Sequence, residues 1–211
     1  MEEFVNQMRV KVKQMYGEKP TGSDDMGKMI NTFHTQRMQN ILKTAGGEVK
    51  MGGKVILESK YVEPTLILEP NKDAEIMTDE IFGPILPVFK FKNFSEVINF
   101  LNDRPKPLAT YYMGNHKSAQ VDRLMKETSS GALVTNDCMF QLTSHYQGFG
   151  GVGASGYGRY SGFEGFKNFS NRKGILIKGP APKFLNAMVQ PPYSEVEKGR
   201  LRMFGGYMTV T

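Results

Sequence analysis

Two groups of residues in this chain have types and spacings that could support chemistry. The first is a glycine-rich stretch at 148–162, in which GVGASG at 151–156 fits the pattern G-x-G-x-x-G. In a dinucleotide-binding fold this pattern follows a buried strand, opens a helix and precedes an acidic residue by about 20 positions. In this chain a polar segment precedes the pattern, three more glycines follow it, and isoleucines stand where the acid should be. We therefore predict no Rossmann-type site at these glycines.

The second group is the single cysteine, Cys138, with His145 seven residues later. A thiolate beside an imidazole can act as a nucleophile, but lone cysteines are also common in protein cores. We favour the structural role. His34 and His116 have no partner at metal-ligand spacing, so no metal site is predicted.

The composition excludes several classes of protein. The net charge is +6 and the basic residues are spread along the 211-residue chain, so nucleic-acid binding is not predicted. No apolar run approaches the ~20 residues of a membrane span, and the N-terminus lacks the apolar region of a signal peptide. One cysteine excludes an internal disulfide framework and fits a reducing, intracellular location, cytoplasmic or mitochondrial.

Hydrophobic periodicity predicts an α/β fold. Helical spacing of apolar residues indicates helices at 2–16 and at 24–44, the second capped by Ser23. Strands and helices then alternate from 85 to 137, which favours a mixed, mostly parallel sheet flanked by helices. A further strand is predicted at 173–178, and the prolines after residue 179 predict an extended arm.

Several stretches, taken in order, resemble the aldehyde dehydrogenase superfamily. The tail FLNAMVQPPYSEVEKGRL at 184–201 is similar to the arm of its class 3, fatty-aldehyde-type branch. The resemblance implies a partial catalytic domain at 1–166, an oligomerisation strand at 167–178 and an extended C-terminal arm at 179–211. The stretches that carry it are EIFGPILPV (80–88), NDRPKPLATYYM (102–113), ETSSGALVTND (127–137), GFGGVGASGYGRYSG (148–162) and KNFSNRKGILIK (167–178).

The resemblance also implies roles for particular residues. Glu80 would hydrogen-bond the nicotinamide ribose and Phe82 would pack near the nicotinamide ring. The glycine-rich loop would lie near the substrate path, where glycines permit close backbone packing. Its implied residues are Phe149, Gly150, Gly151, Gly153, Ser155 and Gly156. Gly148 stands where the family usually has proline, which implies a less rigid entry to the loop.

The family's nucleophilic cysteine, general base and cofactor domain have no counterpart in this sequence, so we predict no catalytic residue and no cofactor for the chain alone. Two hypotheses follow. The favoured one is a non-catalytic structural or interaction subunit, because the sequence begins with methionine at an element boundary beyond the nucleophile. The alternative is the C-terminal half of an active NAD- or NADP-dependent aldehyde dehydrogenase, completed by a separate N-terminal chain, which the retained Glu80, Phe82 and glycine loop favour.

Both hypotheses predict an oligomer in which other protein chains contact residues 173–211 and the face that would meet the cofactor domain. An open strand edge and an exposed apolar face would invite such contacts. The sequence names neither the aldehyde nor the choice between NAD and NADP.

Overall fold

The computed structural model describes residues 1–177, 179–180, 191 and 194–208. They divide into two compact units: residues 1–106 with 117–129 form the first, and residues 107–116 with the chain from 130 onward form the second.

The first unit holds five α-helices. They are α1 (Glu2–Tyr16), α2 (Thr32–Thr44), α3 (Glu75–Thr78), α4 (Phe94–Asn102) and α5 (Ala119–Glu127).

The predicted start of α2 at Asp24 was wrong. The Asn31 side chain accepts a hydrogen bond from the His34 N–H (2.9 Å), so Asn31 and not Ser23 caps this helix. The preceding loop is held in another conformation, because the Met29 N–H donates to the carbonyl of Lys60 (2.9 Å).

The strands of the first unit are β1 (Glu48–Met51), β2 (Val55–Ile56), β3 (Tyr61–Val62), β4 (Thr65–Leu68) and β5 (Ile85–Val88). β4 lies at the centre of a three-stranded sheet, antiparallel to β1 and parallel to β5. β2 and β3 form a separate antiparallel pair.

All four residues of β4 are buried, as expected for a strand covered on both faces. The core cluster around β4 is formed by residues of α2 and its C-cap, of α3, and of the strands β3, β4 and β5. These residues are Met38, Ile41, Ala45, Val62, Ile67, Ile76 and Ile85.

The second unit contains a parallel pair of strands, β6 (Ala109–Tyr112) and β7 (Ala132–Thr135). It also contains the helices α6 (Gly162–Asn168) and α7 (Glu195–Met208). The α/β class and the mixed sheets are confirmed. The pairing is not mostly parallel, because two of the four strand pairs among the described residues are antiparallel.

The C-terminal region differs from its prediction. Residues 173–177 form no strand, and Ile175, Leu176 and Ile177 are 77%, 92% and 89% exposed. A strand needs a hydrogen-bonding partner, and the described residues provide none for this segment. Residues 195–208 are helical, not extended. Residue 178 and most of 181–193 lie outside the described residues, so the arm prediction is untested there.

Candidate functional site

The turn between α3 and β5 carries the two residues that were predicted to contact a cofactor. It begins where the Asp79 N–H closes α3 on the Glu75 carbonyl (3.0 Å), and it ends where the Thr65 N–H donates to the Pro84 carbonyl (2.8 Å). Glu80 and Phe82 therefore lie between a helix end and the start of a buried strand pair. Both anchors restrict the backbone of this turn.

Phe82 adopts the left-handed conformation, with φ +49°. This region is uncommon for a bulky side chain and costs on the order of 1–3 kcal/mol, so it persists only where the surroundings impose it. The conformation leaves the Phe82 ring 76% exposed.

Arg37 of α2 supplies part of those surroundings. Its guanidinium donates to the carbonyl of Ile81 (2.8 Å) and to the carbonyl of Glu80 (2.9 Å). Its third nitrogen lies 3.0 Å from a carboxylate oxygen of Glu75. Arg37 thus joins three groups of one short segment to α2.

Met38, the next residue of α2, lies against Gly83. A Cβ on Gly83 would overlap the Met38 sulfur and lie 3.2 Å from its Cγ. Met38 is fully buried in the core cluster, so it cannot move aside into solvent. Close approach of Met38 therefore favours glycine at 83. Backbone conformation does not explain this preference, because the φ of Gly83 lies outside the left-handed region.

The Glu80 side chain is exposed, and no described residue donates a hydrogen bond to its carboxylate. A free carboxylate can accept from two hydroxyl groups of one ligand. An exposed aromatic ring beside it offers a flat apolar surface. Together these two side chains could hold a diol next to a planar heterocycle.

The glycine-rich loop lies in the second unit and is closed by a single bridge. The backbones of Phe149 and Tyr160 exchange two hydrogen bonds (2.8 and 2.9 Å), and their rings meet edge to face at 5.4 Å. Inside the loop the Ser155 hydroxyl bonds both the N–H and the carbonyl of Val152, each at 2.9 Å. Residues Gly153–Ser155 form one 3₁₀ turn, and no helix begins until Gly162.

The glycines of this loop permit close backbone packing. A Cβ on Gly150 would overlap the carbonyl oxygen of Gly158, and one on Gly151 would overlap the carbonyl oxygen of Ser155. Arg159 braces the loop by donating to the carbonyls of Gly131 (2.9 Å) and Gly148 (3.2 Å).

Cys138 is exposed, not buried as a structural cysteine would be. Its N–H donates to the side chain of the adjacent Asp137 (2.7 Å), and no described contact joins its thiol to His145. Among the residues described, no group of three His, Cys, Asp or Glu side chains could hold a metal ion. No helix in the same part of the chain is long and apolar enough to cross a membrane.

Sequence reasoning missed Arg37 and the fit of Met38 to Gly83. Both residues belong to the predicted α2, but nothing in a helical pattern indicates contacts with a turn more than 40 positions away.

Comparison with known proteins identifies the family of this chain. The sequence model of the aldehyde dehydrogenase family matches residues 1–175. The chain belongs to the aldehyde dehydrogenase family, as the five stretches predicted.

Similar curated proteins are members of family 3. Aldehyde dehydrogenase family 3 member A2 of Mus musculus is 38% identical over 202 residues, which are 96% of this chain and 41% of the relative. Aldehyde dehydrogenase family 3 member F1 of Arabidopsis thaliana is 38% identical over 150 residues, 70% of this chain and 31% of the relative. The chain therefore spans less than half the length of the relatives it matches.

A solved structure supports the fold. AldH of Staphylococcus aureus, determined in a substrate-bound state, matches with a TM-score of 0.75 and 30% identity. The match covers 98% of this chain and 44% of that protein.

Proposed function

We propose that this chain forms the C-terminal part of the catalytic domain of an NAD(P)-dependent aldehyde dehydrogenase and is silent without the rest of that fold. The observation that supports the proposal is the turn at 80–82, which holds an unpaired carboxylate and an exposed ring on a strongly restrained backbone. A subunit kept only for contacts would not need this arrangement.

The residues of the turn suit a nicotinamide nucleotide. The Glu80 carboxylate would accept hydrogen bonds from the ribose hydroxyls, and the Phe82 ring would limit the positions open to the nicotinamide. The bound nucleotide would supply the hydride acceptor for oxidation of an aldehyde to a carboxylic acid. This chain's own part is to bind and orient that end of the cofactor.

The glycine-rich loop would form a wall of the substrate path. Its backbone is braced by Arg159 and by the Phe149–Tyr160 bridge, so it can present a fixed surface. Holding reactants in a productive geometry lowers the barrier without any chemistry from the loop itself. No atom of the loop is proposed to react.

The nucleophile would come from the part of the family sequence that precedes this chain. Cys138 is exposed and no described contact joins it to a base, so no described residue activates its thiol. We accordingly propose residues 1–166 as part of the catalytic domain, 167–178 as an oligomerisation segment and the chain from 179 as an arm. The exposed Ile175, Leu176 and Ile177 support a contact role for the middle segment.

The same exposed residues favour a second candidate function, a non-catalytic interaction subunit. Three consecutive exposed aliphatic side chains mark a contact surface whether or not the complex that covers them turns over substrate.

Reconstitution tests the proposal. The chain would be co-expressed with the N-terminal portion of the mouse relative that precedes the matching region, and reduction of NAD and NADP would be followed with a panel of aldehydes. We expect the two chains to copurify and together to reduce NAD or NADP in the presence of an aldehyde. The 211-residue chain alone should be inactive.

A matched pair of variants identifies the site. Glu80→Gln is expected to raise the KM for the cofactor by about tenfold or more, because a hydrogen bond to a charged group contributes roughly 1.5–3 kcal/mol. Glu58→Gln, at another exposed carboxylate, should leave the KM unchanged. Copurification without turnover would favour the interaction subunit, and failure of the two chains to associate would refute the proposal of a completed dehydrogenase.

A further inference from the structure

We propose that Arg37 is a positioning residue, whose guanidinium fixes the backbone of residues 80–82 and so sets the directions of the Glu80 and Phe82 side chains. The inference goes beyond the proposed function, because it concerns a residue of α2 that need not contact cofactor or substrate. Its consequence for cofactor binding rests on that function.

The contacts of Arg37 converge on one segment. Two nitrogens donate to the carbonyls of Ile81 and Glu80 at 2.8 and 2.9 Å, and the third pairs with Glu75 at 3.0 Å. The Arg37 side chain is only 24% exposed, so these bonds are partly shielded from competing water. A planar guanidinium can make all three contacts at once, whereas a lysine ammonium on a flexible stem cannot.

The segment needs this support. Phe82 is held with φ +49°, a conformation that a bulky residue leaves unless its neighbours prevent it. Gly83 packs against Met38 on one side, and the carbonyls before Phe82 are held by Arg37 on the other. Adjacent residues of α2 thus restrain both ends of the strained residue.

The chain offers a matched control. Arg104 also bridges two backbone carbonyls, those of Met77 (3.0 Å) and Lys72 (3.1 Å), and its guanidinium stacks on Phe100. Arg104→Lys therefore removes the same kind of bridge from the same unit without touching residues 80–82.

The first measurement uses the 211-residue chain alone and does not depend on any activity. A glutamate-specific protease is added under native conditions, and mass spectrometry follows cleavage after Glu80 relative to cleavage after Glu58. Cleavage requires local opening of the backbone, so its rate follows the population of the open segment. We expect Arg37→Lys to be cleaved after Glu80 about tenfold faster than the parent, while cleavage after Glu58 keeps the parental rate. In Arg104→Lys both sites should be cleaved at parental rates.

Two further variants keep the outcome clear. Arg37→Met removes every polar contact and should open the turn further, whereas Glu75→Gln keeps both carbonyl bonds and should have a smaller effect. Urea unfolding of each variant separates local opening from global loss of stability. Parental cleavage after Glu80 in both Arg37 variants would overturn the proposal.

The second measurement uses the reconstituted assembly. Arg37→Lys should raise the KM for the cofactor by about tenfold. The double variant, Arg37→Lys with Glu80→Gln, should raise the KM by less than the product of the two single effects, because Arg37 acts through Glu80. A destabilised fold alone would not give that non-additivity. An unchanged cofactor KM beside faster cleavage would overturn the link to binding. An inactive parental assembly would refute the proposed function. The cleavage measurement would then still test whether Arg37 fixes the backbone of residues 80–82.

Discussion

Replacing Gly83 with alanine tests how closely α2 packs on the turn that carries Glu80. The added Cβ would overlap the Met38 sulfur and lie 3.2 Å from Cγ, and Met38 is 0% exposed. Overpacking a core costs about 1–3 kcal/mol. Alanine offsets about 0.4–1 kcal/mol of this by restricting the unfolded chain. Because methionine is adaptable, we expect an overpacking cost in the lower half of that range, and after the offset a net loss of about 1 kcal/mol.

The assay is urea unfolding followed by circular dichroism, together with thermal unfolding. A loss of about 1 kcal/mol lowers the melting temperature of a chain of this size by about 2–4 °C. Gly27→Ala is the control, because a Cβ at Gly27 meets no atom within 4 Å. The control should be neutral or slightly stabilising.

A double-mutant cycle locates the effect. Met38→Ala alone should cost about 2–5 kcal/mol by leaving a cavity. In the double variant the Gly83→Ala methyl group partly fills that cavity, so the two costs should sum to more than the measured loss. Additive costs, or a Gly83→Ala variant as stable as the parent, would refute the close packing of Met38 on Gly83.

Two further predictions concern stability and pH. Asn31→Ala should lower the free energy of unfolding by about 1 kcal/mol, because it removes the cap that accepts from the His34 N–H, and Asn31→Asp should restore most of the loss; urea midpoints measure both. Burial, with a smaller contribution from Glu63, raises the pKa of Tyr61, so the folded state holds the Tyr61 proton more tightly than the unfolded state does. The stability this provides is complete below about pH 10 and is lost as the pH rises through the higher pKa of the folded state. Unfolding measured at pH 8 and above pH 10 should therefore show a smaller alkaline loss in Tyr61→Phe, whereas Tyr157→Phe, at a fully exposed ring, should behave like the parent.

Periodicity predicted α1 and most of α2 because their apolar residues recur at helical spacing. Met38 and Ile41 recur at helical spacing and are fully buried, and the apolar run of β4 is buried on both faces. The start of α2 was missed because Ser23 and Asn31 are both plausible caps. The choice depends on a hydrogen bond from Met29 to Lys60, which local sequence does not reveal.

The candidate site was predictable only in part. The resemblance selected Glu80 and Phe82, and the structure shows that both are exposed. It did not indicate Arg37, because contacts across 43 and 44 positions leave no periodic signal. The segment at 173–177 reads as a strand from its apolar run, yet a strand forms only where a second strand supplies hydrogen bonds.

The discontinuous first unit has a consequence for synthesis on the ribosome. Its last helix, α5, is encoded after residues 107–116, which belong to the other unit. Domains tend to fold as units while the chain emerges. Helix α4 packs on α5. The side of α4 that faces α5 therefore stays uncovered until translation has passed residue 129. A nascent chain halted between α4 and α5 should attract chaperones, and release from them should follow once α5 has left the exit tunnel.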